Sequence, residues 1–233
     1  MNKDYYVIKF SKMEYLEKIK KGHIYFKESK YFKNIEDDHS GDSREGKIRV
    51  NPIAIPQNDS IIFEVMRKTE ELNFYQRKDE KIPIFCCSII DEEILIKKDD
   101  CHFDFKEEFI QEMKKWGNTF ILINLSELLN KIIKECDNYN ITCYANKINY
   151  DQDIRVLSYD EMHYEFNVNP CEAFFHKTSE YKWQNEFRIL LYSNEKIISE
   201  TDDSFTLNVG ELNDAVIYQF DDLSNMAIKI VKM

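Results

Sequence analysis

The chain has 233 residues, 43% of them hydrophobic and 14% aromatic, enough to bury a substantial core. Five glycines and four prolines exclude collagen-like, low-complexity or linker-rich organisation. A net charge of -11 excludes an undirected coat on nucleic acid, which relies on a positive surface that releases counterions.

The first element is in "SKMEYLEKIKKG", where Ser11 and Glu14 fit a capping box, Tyr15, Leu16 and Ile19 form an apolar stripe, and Gly22 supplies the stop. This predicts a helix from about Lys12 to Lys21, followed at once by a strand in "HIYFK". "YFKNIEDDHSGDSREGK" then loses periodicity and gathers acids, Ser and Gly, so it reads as a loop tethered at Tyr31 and Phe32. "KIRVNPIAI" and "IPIFCCSII" are strands by their β-branched and aromatic content, and "SIIFEVM" between them reads as a strand or a helix. In "FKEEFIQEMKKWGNTF", Phe109, Ile110, Met113 and Trp116 recur at helical spacing up to Gly117. The strand "TFILINL" leads to a helix capped by Ser126 with the stripe Leu129, Ile132 and Ile133. "ITCYANKINY" and "MHYEFNV" are further strands, as are the late "SFTLNV", "DAVIYQF" and "MAIKIVK".

"FHKTSEYKWQNEFRILLY" (175–192) ends in a strand with two unlike faces, since alternate side chains point oppositely. Phe187, Ile189 and Leu191 face a core, while Glu186 and Arg188 share the other face and sit at the mouth of the strand. A charged pair there is a salt bridge closing a sheet or the floor of a site. Strands outnumber helices without regular βαβ alternation, so the expected fold is a single α+β domain over residues 1–233, with a split or two-layer, antiparallel-rich sheet flanked by a few helices.

Residues 1–33 hold nine lysines against four acids, whereas 193–223 hold eight acids and only Lys196. A basic patch from the first segment can meet a phosphate-bearing ligand against the overall sign of charge. The six cysteines show no CxxC spacing, and Cys101–His102 and Cys171–His176 lack a second pair to complete a tetrahedron, so reduced thiols and no metal are expected. No stretch supplies the roughly eighteen apolar residues of a membrane span or the apolar centre of a signal peptide, which gives a cytoplasmic expectation without membrane partners. Neither GxGxxG nor GxxxxGK[ST] occurs, and GxSxG and HExxH are also missing. The remaining polar residues at strand ends are His23, Tyr25, Asp42, Arg44, Glu45, His163, Glu165, Lys177, Glu186 and Arg188.

Three motifs, "YLEKIKKGHIYF", "GDSREG" and "FHKTSEYKWQNEFRILL", together resemble small bacterial proteins with an ADP-ribosyltransferase-like fold, of the kind found among toxins and antiphage defence effectors. The resemblance implies that an early strand supplies a polar contact to the ribose of NAD, carried here by His23 or Tyr25, and that a later strand supplies a catalytic glutamate, Glu186. Cleaving the nicotinamide–ribose bond passes through an oxocarbenium-like state, which a carboxylate on the ribose 2′-hydroxyl stabilises. NAD is then a substrate, with Arg188 holding Glu186 or gripping the pyrophosphate, Lys177 as a second phosphate contact, Asp42 and Glu45 reaching the ligand from their loop, and Tyr25, Tyr181 and Trp183 as stacking surfaces. The acceptor, a protein or nucleic acid, is unspecified. Two alternatives accompany this reading: a metal-dependent nuclease using Asp42, Glu45 and Glu186 for magnesium, and a non-catalytic interaction, sensor or immunity module with a protein partner.

Overall fold

The computed structural model describes residues 5–34, 48–50, 66, 68, 72–74, 81–99, 102–151, 156–157, 160–161, 168–193, 197, 203–225 and 228–229. Its strands in chain order are β1 (Tyr6–Phe10), β2 (His23–Glu28), β3 (Ile48–Val50), β4 (Leu72–Phe74), β5 (Pro83–Ile89), β6 (Leu95–Lys97), β7 (His102–Phe105) and β8 (Thr119–Asn124). They continue with β9 (Thr142–Lys147), β10 (Asn149–Asp151), β11 (Val156–Leu157), β12 (His176–Thr178), β13 (Glu186–Tyr192), β14 (Ser204–Asn208), β15 (Val216–Gln219) and β16 (Ile228–Lys229). The helices are α1 (Met13–Lys20), α2 (Ser29–Asn34), α3 (Glu107–Met113), α4 (Leu125–Asp137) and α5 (Phe220–Asn225). The architecture is thus mixed α+β. Asp42 and Glu45, like most of "SIIFEVM" and "MHYEFNV", lie outside the described residues, although Met66 of "SIIFEVM" is helical.

Several local expectations are corrected. Helix α1 starts from Lys12 with no side-chain cap, so Ser11 and Glu14 form no capping box; the Ser11 carbonyl instead accepts from the Thr119 hydroxyl at 2.5 Å. The run from Tyr31 begins as helix α2, not as loop. Asn124, not Ser126, caps α4, its side chain accepting from the Glu127 amide at 3.0 Å. The buried stripe of α4 is Leu125, Leu128, Ile132 and Cys136, while Ile133 is exposed.

Eight strands form the main sheet, and every pairing within it is antiparallel. Strand β5 is its hub. Along one edge it pairs with β13, from Glu186↔Ser88 to Leu190↔Ile84, and β13 in turn pairs with β9. Along the other edge two strands share it: β1 pairs only at Val7↔Ile89 and Ile8↔Ser88, and β2 only at Lys27↔Ile84 and Glu28↔Pro83. The sheet is therefore split, with β1 and β2 diverging from opposite ends of β5 beside Phe85, Cys86 and Cys87. Beyond the split, β1 continues to β8 and β15, while β2 continues to β14.

The two faces bury different groups. Phe187, Ile189 and Leu191 of β13 join Ile24, Phe26, Phe85 and Ile121 in the largest core, closed by α1 (Leu16, Ile19) and α4 (Leu128, Ile132). Leu190 on the opposite face packs with Phe174, Phe175 and Ile84. The 3₁₀ turns Glu172–Phe175 and Ser179–Gln184 cover this second face next to Glu186 and Arg188.

Candidate functional site

The gap between β1 and β2 opens into a cleft of about 1030 Å³, at the upper end of the roughly 300–1,000 Å³ of small-molecule sites. Strand periodicity selects what enters it. On β2, His23, Tyr25 and Lys27 alternate with the buried Ile24 and Phe26, so all three line the cleft. Strand β1 contributes Lys9, β5 contributes Cys86 and Ser88, and Lys177, Gln184 and Glu186 complete the deep end. Helix α1 presents Tyr15 and Lys18, Lys21 follows at its end, and Trp116 also lines the space.

At the base Glu186 is clamped from two sides. Its Oε1 accepts from Arg188 Nε at 2.6 Å, and its Oε2 accepts from Lys177 Nζ at 2.6 Å. Lys177 also donates to Gln184 Oε1 at 2.9 Å, and Arg188 donates to the Phe174 carbonyl at 2.6 Å. The pair that the sequence placed at a strand mouth is buried, with Arg188 at 0% exposure and Glu186 at 5%, because the turns from Glu172 to Gln184 close over it. Burial by itself would raise the carboxyl pKa of Glu186. The charges of Arg188 and Lys177 and their hydrogen bonds outweigh it and hold the group well below its ordinary 4.5.

The supporting groups are ones sequence reasoning missed. Asn185 stands immediately before β13 in the left-handed region at φ 43°, which Asn tolerates better than most residues. Its amide nitrogen donates to the Ile89 carbonyl at 2.7 Å and to Asp91 Oδ1 at 2.8 Å, fixing where the strand begins. The Glu186 amide donates to the Tyr150 hydroxyl at 2.8 Å, and burial with the nearby Glu186 charge raises the Tyr150 pKa. Lys9 donates to the Cys86 carbonyl at 2.6 Å, occupying the edge of β5 that the split leaves open, and lies 4.8 Å from the Phe85 ring centroid. A lysine interrupting the apolar run "YVIKF" was the available signal.

Of the residues singled out in the sequence, the structure brings together His23, Tyr25, Lys177 and Glu186 around the cleft. Arg188 stands behind Glu186, its guanidinium turned to the carboxylate and the Phe174 carbonyl. Tyr181 lies under Lys177 at 5.4 Å, and Trp183 packs against the cluster of Ile8, Phe10 and Phe109. The thiols here are poor nucleophiles: burial and the Glu186 charge raise Cys86, and burial pushes Cys87 up to about 12. Cys86, Cys87, Cys136 and Cys143 carry free thiols.

No protein-family model, curated protein or solved structure matches the chain. Among the described residues no group of three or more His, Cys, Asp or Glu could hold a metal ion, and no helix is long and apolar enough to cross a membrane.

The clamp has a pH signature. A carboxyl depressed in the folded state contributes stability that is complete above its unfolded value of 4.5 and is lost as pH falls through the lower folded value. The side-chain carboxyl carbon resonance of Glu186 is accordingly expected to stay that of a carboxylate from about pH 7 to about pH 4, while exposed glutamates titrate. A midpoint at or above the ordinary value would show that the two cations do not control it.

Proposed function

We propose that the cleft binds NAD and that Glu186 promotes cleavage of the bond between nicotinamide and ribose, passing ADP-ribose to an acceptor or to water. The observation that carries this reading is that Glu186 is the only carboxylate among the described residues lining the cleft, set at the base of the split and kept ionised in a basic surround. As nicotinamide leaves, positive charge develops on the ribose. A fixed carboxylate interacts with that charge more strongly than with the ground state, which is what lowers a barrier. The Cys86 thiol lies in the field of Glu186 and is a weak donor, so a ribose hydroxyl competes with it successfully for the carboxylate. Lys9 spends one proton on the Cys86 carbonyl and keeps two for phosphate oxygens. Tyr25, half exposed on β2, offers a ring to the base or nicotinamide. Hydrolysis balances as NAD plus water giving nicotinamide, ADP-ribose and a proton.

One observation favours a second reading, a binding module without chemistry. Arg188 and Lys177 already engage both oxygens of Glu186, with three donors between them. In that case NAD raises the melting temperature but is not consumed.

The test is nicotinamide release from NAD by the purified protein, with chelator present and a cell extract as acceptor source. Release that resists the chelator and disappears in Glu186→Gln is expected. Because that variant leaves two buried cations without their counter-charge, its fold is checked by circular dichroism. Lys9→Met, which leaves the Glu186 clamp in place, is measured beside it, and a KM for NAD raised about tenfold is expected from the lost charged hydrogen bond. Absence of release under every condition, with no thermal shift by NAD, would reject both readings.

A further inference from the structure

The rim of the cleft differs from its base. Lys18 on α1, Lys21 just after it and Lys27 on β2 line it, and among the described residues none of the three forms an ion pair. Lys27 also lies in the field of Glu28. Instead the lysines stand over aromatic rings: Lys18 at 5.7 Å from Tyr15, and Lys27 at 6.0 Å from Tyr25 and 4.7 Å from Tyr31. Tyr15, Tyr25, Tyr31 and Trp116 are 40–49% exposed although they are large aromatics that a core would bury.

We propose that this rim is a docking surface for single-stranded nucleic acid, with lysines tracking phosphates and tyrosines stacking on unpaired bases. Three unpaired cations gathered on a chain of net charge -11 are a local departure that attracts a polyanion to this edge. An acidic peptide would satisfy the lysines equally, but it has no flat faces to cover four exposed rings. Bases have them, and a base stacks on an aromatic side chain without sequence preference. A duplex keeps its bases stacked on one another, so it can use only the lysines. The inference goes beyond the proposed NAD chemistry and does not need it: binding requires no NAD, and hydrolysis requires no nucleic acid, so either can fail alone. If both hold, the strand lies beside the base of the cleft and is the acceptor.

The test is fluorescence anisotropy of labelled twelve-nucleotide oligo(dT) and oligo(U), titrated with the full chain at about 50 and about 200 mM salt. Three phosphate contacts predict a log–log salt slope of about -2, since single strands give about 0.7 per phosphate. Lys18→Gln/Lys21→Gln/Lys27→Gln, which breaks no ion pair, is expected to flatten that slope towards zero with an unchanged melting temperature. Tyr25→Ala/Tyr31→Ala is expected to weaken binding about tenfold or more while leaving the slope intact. No saturable binding at the lower salt, a slope indifferent to the lysine changes, or equal competition by a polyglutamate peptide or by duplex of the same length would each overturn the proposal.

Discussion

Arg188→Met is expected to cost about 3–5 kcal/mol of folding stability, measured as the shift in urea midpoint at constant slope. Arginine and methionine have similar reach, so little of this loss is cavity. It comes from Glu186, which would keep its burial and lose the stronger of two cationic partners. The Phe174 carbonyl would lose its donor as well. The opposite is expected when the whole clamp is replaced. Replacing the whole set, in Lys177→Met/Glu186→Leu/Arg188→Met, removes the charges together with their desolvation cost, and such replacements are often neutral or stabilising. The triple variant should thus be more stable than Arg188→Met alone. If instead the losses simply add, the clamp is a net source of stability rather than a costly arrangement kept for its carboxylate. That result would remove one reason for seeing a site here.

Which parts of this arrangement were legible in the sequence follows from the range of the interactions involved. The two faces of β13 could be read directly, because alternation is a local rule: Phe187, Ile189 and Leu191 lie in one core and Leu190 in another. The helix stop at Gly22 and the antiparallel-rich α+β character were legible for the same reason. Caps were misread because Ser and Asn compete for the same role, and the choice between Ser126 and Asn124 depends on where β8 ends. Burial of the charged pair was not legible at all. It depends on the turns from Glu172 to Gln184 folding back over a strand that follows them, and on Asn185 adopting a left-handed backbone. Lys9 comes to the deep end of the cleft, 77 residues from Cys86 in sequence, only because β1 leaves β5 after two paired residues. No local pattern encodes that divergence.

The start of β2 is held by a close backbone contact that can be tested at one position. Gly22 has φ +87°, and a Cβ built there would fall on the backbone of Gly210. The two segments are tied on either side, by the Val209 amide to the Gly22 carbonyl at 2.9 Å and the Leu212 amide to the Lys20 carbonyl at 2.9 Å. Gly22→Ala therefore meets two penalties, about 1–2 kcal/mol for a left-handed non-glycine residue and about 1–3 kcal/mol for overpacking against backbone that cannot rotate away. The expected loss is about 2–5 kcal/mol in urea midpoint. Gly210→Ala is the internal control: its φ is +76°, but nothing lies within 4 Å of a Cβ there, so only the first penalty applies. Equal losses at the two positions would show that backbone conformation, not the contact, sets the cost. A larger loss at Gly22 would mean that the joint between α1, β2 and β14 is tightly packed. That joint aims His23, Tyr25 and Lys27 into the cleft, so Gly22→Ala should also weaken whatever the cleft binds, whereas Gly210→Ala at matched stability should not.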